Sequence, residues 1–158
     1  MGQIQEDFDI AGQAHRLSVA VIRLRSRLRE EAGTHATGLS ISQLAVLRSV
    51  VDDGPTTAAY LAQVHHVSAQ SVAQNLAVLK AAGLVRGKRD PADGRKTLIS
   101  ADPSAARLLS SLLAARESFL ARAVGQLLAP GERGDLERAI SLLERFAVAD
   151  LDAGPTAI

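Results

Sequence analysis

From Val67 to Ser100 the chain reads VSAQSVAQNLAVLKAAGLVRGKRDPADGRKTLIS, a helical period that stops at a glycine and gives way to a basic hairpin. Ser68 suits an N-cap, because its hydroxyl can accept a bond from an orphan first-turn amide. Val72, Leu76 and Leu79 then recur at i, i+4 and i+7 and place one apolar stripe against a core. Gln70, Ser71, Gln74 and Val78 fall on the opposite face. Gly83 is placed to end the helix in a left-handed C′ position, with Leu84 and Val85 behind it to supply the hydrophobic contact. Leu84 to Arg89 and Lys96 to Ala101 can both be extended, with Pro91 and Asp93-Gly94 between them. Asp-Gly predicts a tight turn with positive φ. Few topologies accommodate a short amide-faced helix followed at once by such a ribbon.

Two readings of this stretch stand side by side. An amide-bearing helix beside a basic ribbon suits duplex DNA, with the helix in the major groove and a ribbon arginine in the minor groove. A solvated hairpin next to an ordinary amphipathic helix uses the same residues. The wider sequence favours the first. LSISQLAVLRSVVDDGP, TTAAYLAQVHHVSAQSVAQNLAVLKAAGLV and the tip RDPADGRK, in that order and spacing between about Leu39 and Ala101, resemble the winged helix-turn-helix of MarR-family bacterial transcription regulators. The flanking helices follow the same plan, so the resemblance covers nearly the whole chain. It implies a mostly α fold with a small β-wing, the winged helix-turn-helix being flanked by N- and C-terminal dimerisation helices.

By that resemblance Ser68, Gln70, Ser71 and Gln74 are the groove contacts, and glutamine can pair bidentately with adenine. Thr57, in the helix before, becomes a phosphate contact. Arg95 matches the family's wing-tip arginine and Asp93 the carboxylate that orients it. Arg86, Lys88, Arg89 and Lys96 would supply salt-sensitive phosphate contacts. The chain departs from the family at Ala73-Gln74, where many members carry a Thr-Arg pair, and at Asn75 and Val78. The helix therefore exerts less electrostatic pull, and the operator sequence is not implied.

Composition removes other classes. The net charge is only +1, so a basic footprint has to be local. There is no cysteine, which removes disulfides, thiolate metal sites and thiol redox sensing and is compatible with a cytoplasmic protein. The N-terminus is acidic and polar, unlike a signal peptide, and no apolar run is long enough to span a bilayer. Nothing resembles a nucleophile elbow or a phosphate loop, so no catalytic residue, enzymatic activity or cofactor is expected. Of four histidines, His65 and His66 are adjacent rather than i, i+4, and His15 and His35 lie far off in sequence; no metal ligand set is assigned.

The length predicts a single domain over 1–158, with the DNA-binding lobe at 39–101, dimerisation helices at 8–32 and 103–150, and a frayed tail at 151–158. The first helix is expected from Phe8 to about Ala32, with a stripe of Ile10, Ala14, Leu17, Val21, Leu24 and Leu28. Gly33 to Gly38 reads as a loop. Ser40 and Gln43 form a capping box for a helix through Val51, Gly54-Pro55 stops it, and Thr56 or Thr57 caps a short helix from Ala58 to about His65. Asp102-Pro103 starts a long helix that ends near Ala129-Pro130-Gly131. The last helix, from Glu132 to about Asp150, is apolar at Leu136, Ile140, Leu143 and Phe146.

These terminal helices carry more apolar surface than a small winged lobe can cover. Pairing with a second copy, through Phe8, Ile10, Leu17, Leu136, Ile140, Leu143 and Phe146, is the simplest use for it. The resemblance implies the same. The expected function is a sequence-specific homodimeric DNA-binding regulator, more a repressor than an activator, acting on a pseudo-palindromic double-stranded operator. An anionic or aromatic small-molecule effector would relieve binding, with His15, Arg16 and Arg48 as candidates for its cleft. A metal-responsive regulator of the same fold, and a winged-helix protein–protein adaptor without DNA binding, are the competing readings.

Overall fold

A computed structural model describes residues 9–150 and builds them, in order, as three helices before the predicted recognition helix, that helix, a two-stranded ribbon and two further helices. They are α1 (Ile10–Glu31), α2 (Ile41–Asp53), α3 (Ala58–Val64), α4 (Ala69–Ala81), β1 (Val85–Arg89), β2 (Thr97–Ala101), α5 (Pro103–Leu127) and α6 (Glu132–Val148). Phe8 and the tail at 151–158 lie outside the described residues. The described chain forms two compact units, one ending at Glu117 and the next beginning at Ser118, inside α5.

Local chemistry sets most boundaries in the first unit. Asp9 caps α1 by accepting the Gly12 amide at 2.8 Å. Ser40 and Gln43 form the expected capping box: the Gln43 amide donates to Ser40 Oγ, and the Ser40 amide donates to Gln43 Oε1. α2 runs two residues past Val51, to Asp53, supported by the Arg48–Asp52 pair one turn apart. Gly33 to Gly38 is a 3-10 turn over Thr34–Thr37 rather than an open loop, with both flanking glycines left-handed. Thr57 is the cap of α3, since its hydroxyl accepts the Tyr60 amide. Its neighbour Thr56 does something else. Its amide and carbonyl both pair with Ile99 of β2, at 3.0 and 2.6 Å, adding a one-residue third strand to the ribbon.

The core of this unit sits among α2, α3, α4 and the ribbon base. Val46, Leu47 and Val50 of α2, Leu61 of α3, and Val72, Leu76 and Leu79 of α4 are buried together with Leu84, Val85, Ile99 and Ala105. Fully burying one such Leu or Val contributes about 1.5–3 kcal/mol, so the stripe read from the sequence of α4 is what fixes its orientation.

The helix α1 behaves differently. Its apolar stripe buries no residue, and Ile10 is 76 % exposed. Hydrophobic spacing identifies the face but not the chain that covers it. In the second unit α6 likewise buries nothing: Ile140, Leu143 and Phe146 are exposed, Phe146 by 61 %, while Leu136 is half-buried. No described helix is long and apolar enough to cross a membrane.

Candidate nucleic-acid interface

Helix α4 is held at both ends. At its start the Ser71 amide donates to Ser68 Oγ at 3.1 Å, and the Ser68 hydroxyl donates to Ser71 Oγ at 3.1 Å. Both hydroxyls assigned to base contact are therefore engaged in the cap. At its end Gly83 is left-handed at φ 70°, the Leu84 amide reaches Leu79 O at 2.9 Å, and the Gly83 amide reaches Lys80 O at 3.0 Å. These are the two bonds of a Schellman stop.

The turn before α4 uses the same device with a different residue. The Val67 amide bonds Ala62 O and the His66 amide bonds Gln63 O, while His66 itself sits at φ 51°. A residue with a Cβ is strained there by roughly 1–2 kcal/mol. His66→Gly is accordingly expected to raise the unfolding free energy by about 1 kcal/mol, and Gly83→Ala to lower it by about 1 kcal/mol. Urea denaturation of the two variants beside the parent checks both signs. The neighbouring His65 is tied to α2, its Nε2 lying 3.0 Å from Ser49 Oγ. Among the described residues no group of three or more His, Asp and Glu side chains converges as a metal site.

The outward face of α4 presents Gln70, Ala73, Gln74, Ala77 and Val78, all exposed, with Asn75 half-buried beside them. Between Ala69 and Leu79 the helix carries no charged side chain. Its lysine, Lys80, leans toward the ribbon: a Cβ placed on Gly87 would lie 3.3 Å from the Lys80 ammonium. Sequence spacing alone did not bring Lys80 into the basic footprint, because it sits near the helix end and its direction depends on a contact seven residues further on.

The ribbon pairs Val85 with Ala101 through Arg89 with Thr97. Strand alternation then places Arg89 on the face shared with Gly87 and Lys80, and Lys88 on the other. Arg86 is exposed but already paired. Its guanidinium pairs with Asp102 at 2.5 Å. Asp102 starts α5, accepting both the amide and the hydroxyl of Ser104. Those Ser104 bonds, and after them Arg86, hold its carboxyl below the usual carboxylate range, against an opposing desolvation.

The tip differs from the predicted tight turn. Asp90 to Lys96 form a wider loop in which neither Gly94 nor Arg95 has positive φ. Two carboxylates shape it: the Ala92 amide donates to Asp90 Oδ1 at 2.8 Å and the Arg95 amide to Asp93 Oδ1 at 3.1 Å. With those side-chain bonds available the backbone does not need the positive-φ turn that Asp-Gly usually supplies. Asp93 also faces Arg95 Nε and Lys96 Nζ, each at 3.6 Å, so it sits where an orienting carboxylate should. The Arg95 side chain is 96 % exposed. A guanidinium held at its root and free at its end can be inserted into a narrow groove.

The candidate effector residues are less gathered. His15 and Arg16 are exposed on α1, and Arg48 on α2 donates from Nε to Asp52 at 2.8 Å. Thr57 is half-buried with its hydroxyl engaged in the α3 cap.

Comparison with known proteins converges on one family. Residues 37–96 match the model of the MarR family. An HTH-type transcriptional regulator from Mycobacterium tuberculosis is 33 % identical over 111 residues, 70 % of this chain and 76 % of the relative. A crystal structure from Pseudomonas aeruginosa, described as a candidate transcriptional regulator, is 30 % identical with a TM-score of 0.78, covering 90 % of this chain and 99 % of that one. The Bordetella bronchiseptica protein BpsR, whose DNA binding is regulated by 6-hydroxynicotinic acid, shares the fold at a TM-score of 0.57 and 23 % identity, over 95 % of this chain and 99 % of that one.

Proposed function

The chain belongs to the MarR family of HTH-type transcriptional regulators, a family of regulators rather than enzymes, and we propose that it is a cytoplasmic, homodimeric repressor that binds a pseudo-palindromic operator. The observation that carries this reading is the pairing of α4 with the wing. A helix whose outer face is amide and methyl stands beside a ribbon whose tip extends Arg95 almost fully into solvent. The first enters a major groove and the second the adjoining minor groove. Lys88, Arg89 and Lys96 hold phosphates, and Thr57 adds one more contact where α3 crosses the backbone. Gln70 and Gln74 are the stronger base readers, because both are exposed while the Ser68 hydroxyl is spent on the cap and Ser71 is half-buried beneath it.

Dimerisation is read from α1 and α6, which bury none of their residues although each carries an apolar stripe. Large exposed apolar faces are rare on monomers, and a two-fold partner offers each face its own kind. Phe8, Ile10, Leu17, Leu136, Ile140, Leu143 and Phe146 are assigned to that contact. Phe146→Asp is expected to convert a dimer to a monomer in sedimentation equilibrium at micromolar protein. A dimer unchanged in mass places the contact elsewhere.

Relief by an anionic aromatic effector is proposed by analogy with BpsR, whose DNA binding is regulated by 6-hydroxynicotinic acid. The effector acts only if it binds two states unequally. His15, Arg16 and Arg48 are offered as its contacts, and at Arg48 an anion competes with Asp52.

Selection of bound sequences from a random duplex pool at near-physiological salt tests the whole. A palindromic motif with half-sites about one helical turn apart is the expected result. No enrichment above the pool, with binding that vanishes as salt rises, overturns it.

A further inference from the structure

The proposed operator reader has an unusual face, and its chemistry narrows what it can read. Specific contact with guanine in the major groove is made mainly by arginine or lysine, whose paired donors meet O6 and N7. From Ala69 to Leu79 the helix has neither. Its nearest cation, Lys80, is exposed near the C-terminal end of the helix, its ammonium beside Gly87 of the ribbon. The Ser68 hydroxyl donates to Ser71 Oγ and accepts the Ser71 amide, which leaves the half-buried Ser71 hydroxyl proton as the remaining donor there.

What remains exposed is specific in kind. Gln70 and Gln74 stand one helical turn apart on the same face, and each amide carries one acceptor and one donor, the complement of adenine N6 and N7. Ala73, Ala77 and Val78 surround them with methyl groups, Val78 being 41 % exposed. Part of the Val78 side chain thus stays open to solvent. Against duplex DNA it meets the one apolar group that the major groove offers, the C5 methyl of thymine.

We infer that α4 reads a run of A·T pairs, Gln70 and Gln74 through adenine and Ala73, Ala77 and Val78 through thymine methyls, with guanine selected against because no cation faces it. The inference rests on the reading of the chain as a DNA-binding regulator. It adds the base composition of the half-site and a specificity role for three apolar residues. The wing acts in the same direction, since A-tracts have the narrow minor groove that attracts an inserted arginine such as Arg95.

The test uses the full chain and the duplex recovered by selection, read by fluorescence anisotropy. Positions under α4 are those whose preference changes in Gln70→Ala or Gln74→Ala. Both substitutions lie on an exposed helix face and put in a better helix former, so folding is preserved. Those positions are expected to be A·T. Replacing one contacted thymine by deoxyuridine, which removes only the methyl, should raise Kd about fourfold, and Val78→Gly or Ala77→Gly should abolish that sensitivity at one thymine each. Replacing one contacted adenine by 7-deazaadenine should raise Kd about tenfold in the parent and not further in Gln74→Ala or Gln70→Ala. A selected motif with G·C at the α4-dependent positions, or a Kd indifferent to uracil throughout, overturns the inference and leaves the regulator intact. Absence of any enriched motif overturns both.

Discussion

Arg95→Ala is expected to weaken operator binding roughly 10- to 100-fold, the scale of losing a groove contact of 1–3 kcal/mol, while leaving the unfolding curve unchanged. The Arg95 side chain is nearly fully exposed and its guanidinium meets Asp93 at 3.6 Å in water. A pair so exposed contributes little to stability, so fold and function separate cleanly at this position. Arg95→Lys keeps the charge but loses the flat, weakly hydrated guanidinium. It is expected to recover only part of the affinity. Asp93→Ala removes the acceptor for the Arg95 amide and the facing carboxylate together, so it should lower affinity through disorder of the tip even though it makes the wing more positive. Titration of a labelled operator duplex at fixed salt distinguishes these cases. If Arg95→Ala binds like the parent, the wing does not enter the groove.

The second large effect concerns the fold. Leu79→Ala should lower the unfolding free energy by about 3 kcal/mol, within the range for truncating a fully buried leucine, and reduce Tm by roughly 6–12 °C for a chain of this size. Leu79 is fully buried in the cluster that joins α4 to α2 and α3, and its carbonyl also receives the Leu84 amide at the helix stop. The cavity therefore opens under the helix proposed to read DNA. Thermal melts of parent and variant at one protein concentration give the comparison, since a dimer's Tm depends on concentration. A shift below about 2 °C would mean that the neighbouring Leu47, Leu61 and Leu76 close the space.

The parts of the fold legible from sequence were those decided within a few residues. The Ser40–Gln43 box, the Ser68 cap, the Gly83 stop and the alternation from helix to ribbon all rest on contacts at short range, while the fold class came from the family resemblance of the ordered set. Contacts made at a distance were not legible. Thr56 looks like an alternative cap for α3, and only its pairing with Ile99, 43 positions away, makes it a strand. Arg86 reads as an unpaired cation until Asp102 is seen beside it, and the approach of Lys80 to Gly87 has no signal in the sequence. The wing tip departed from its dipeptide rule because Asp90 and Asp93 supply side-chain acceptors that the rule does not consider. The apolar stripe of α1 was read correctly as a stripe, but a period of 3.6 is the same whether the covering surface belongs to this chain or to another.

The bonds between Thr56 and Ile99 bear on how the operator itself can change over time. One residue before the cap of α3 and the middle of β2 are fastened to each other by two amide–carbonyl bonds, so the helix pair and the ribbon form a caliper whose jaws do not slide. If α4 and Arg95 take the groove roles proposed for them, this bridge holds the base of the wing against the helices while the tip beyond it stays adjustable. An operator can exchange letters within a half-site and lose affinity by degrees. A letter gained or lost there is expected to cost more than one exchanged, because a base pair of about 3.4 Å shifts one contact's target while the bridge keeps the base of the wing in place.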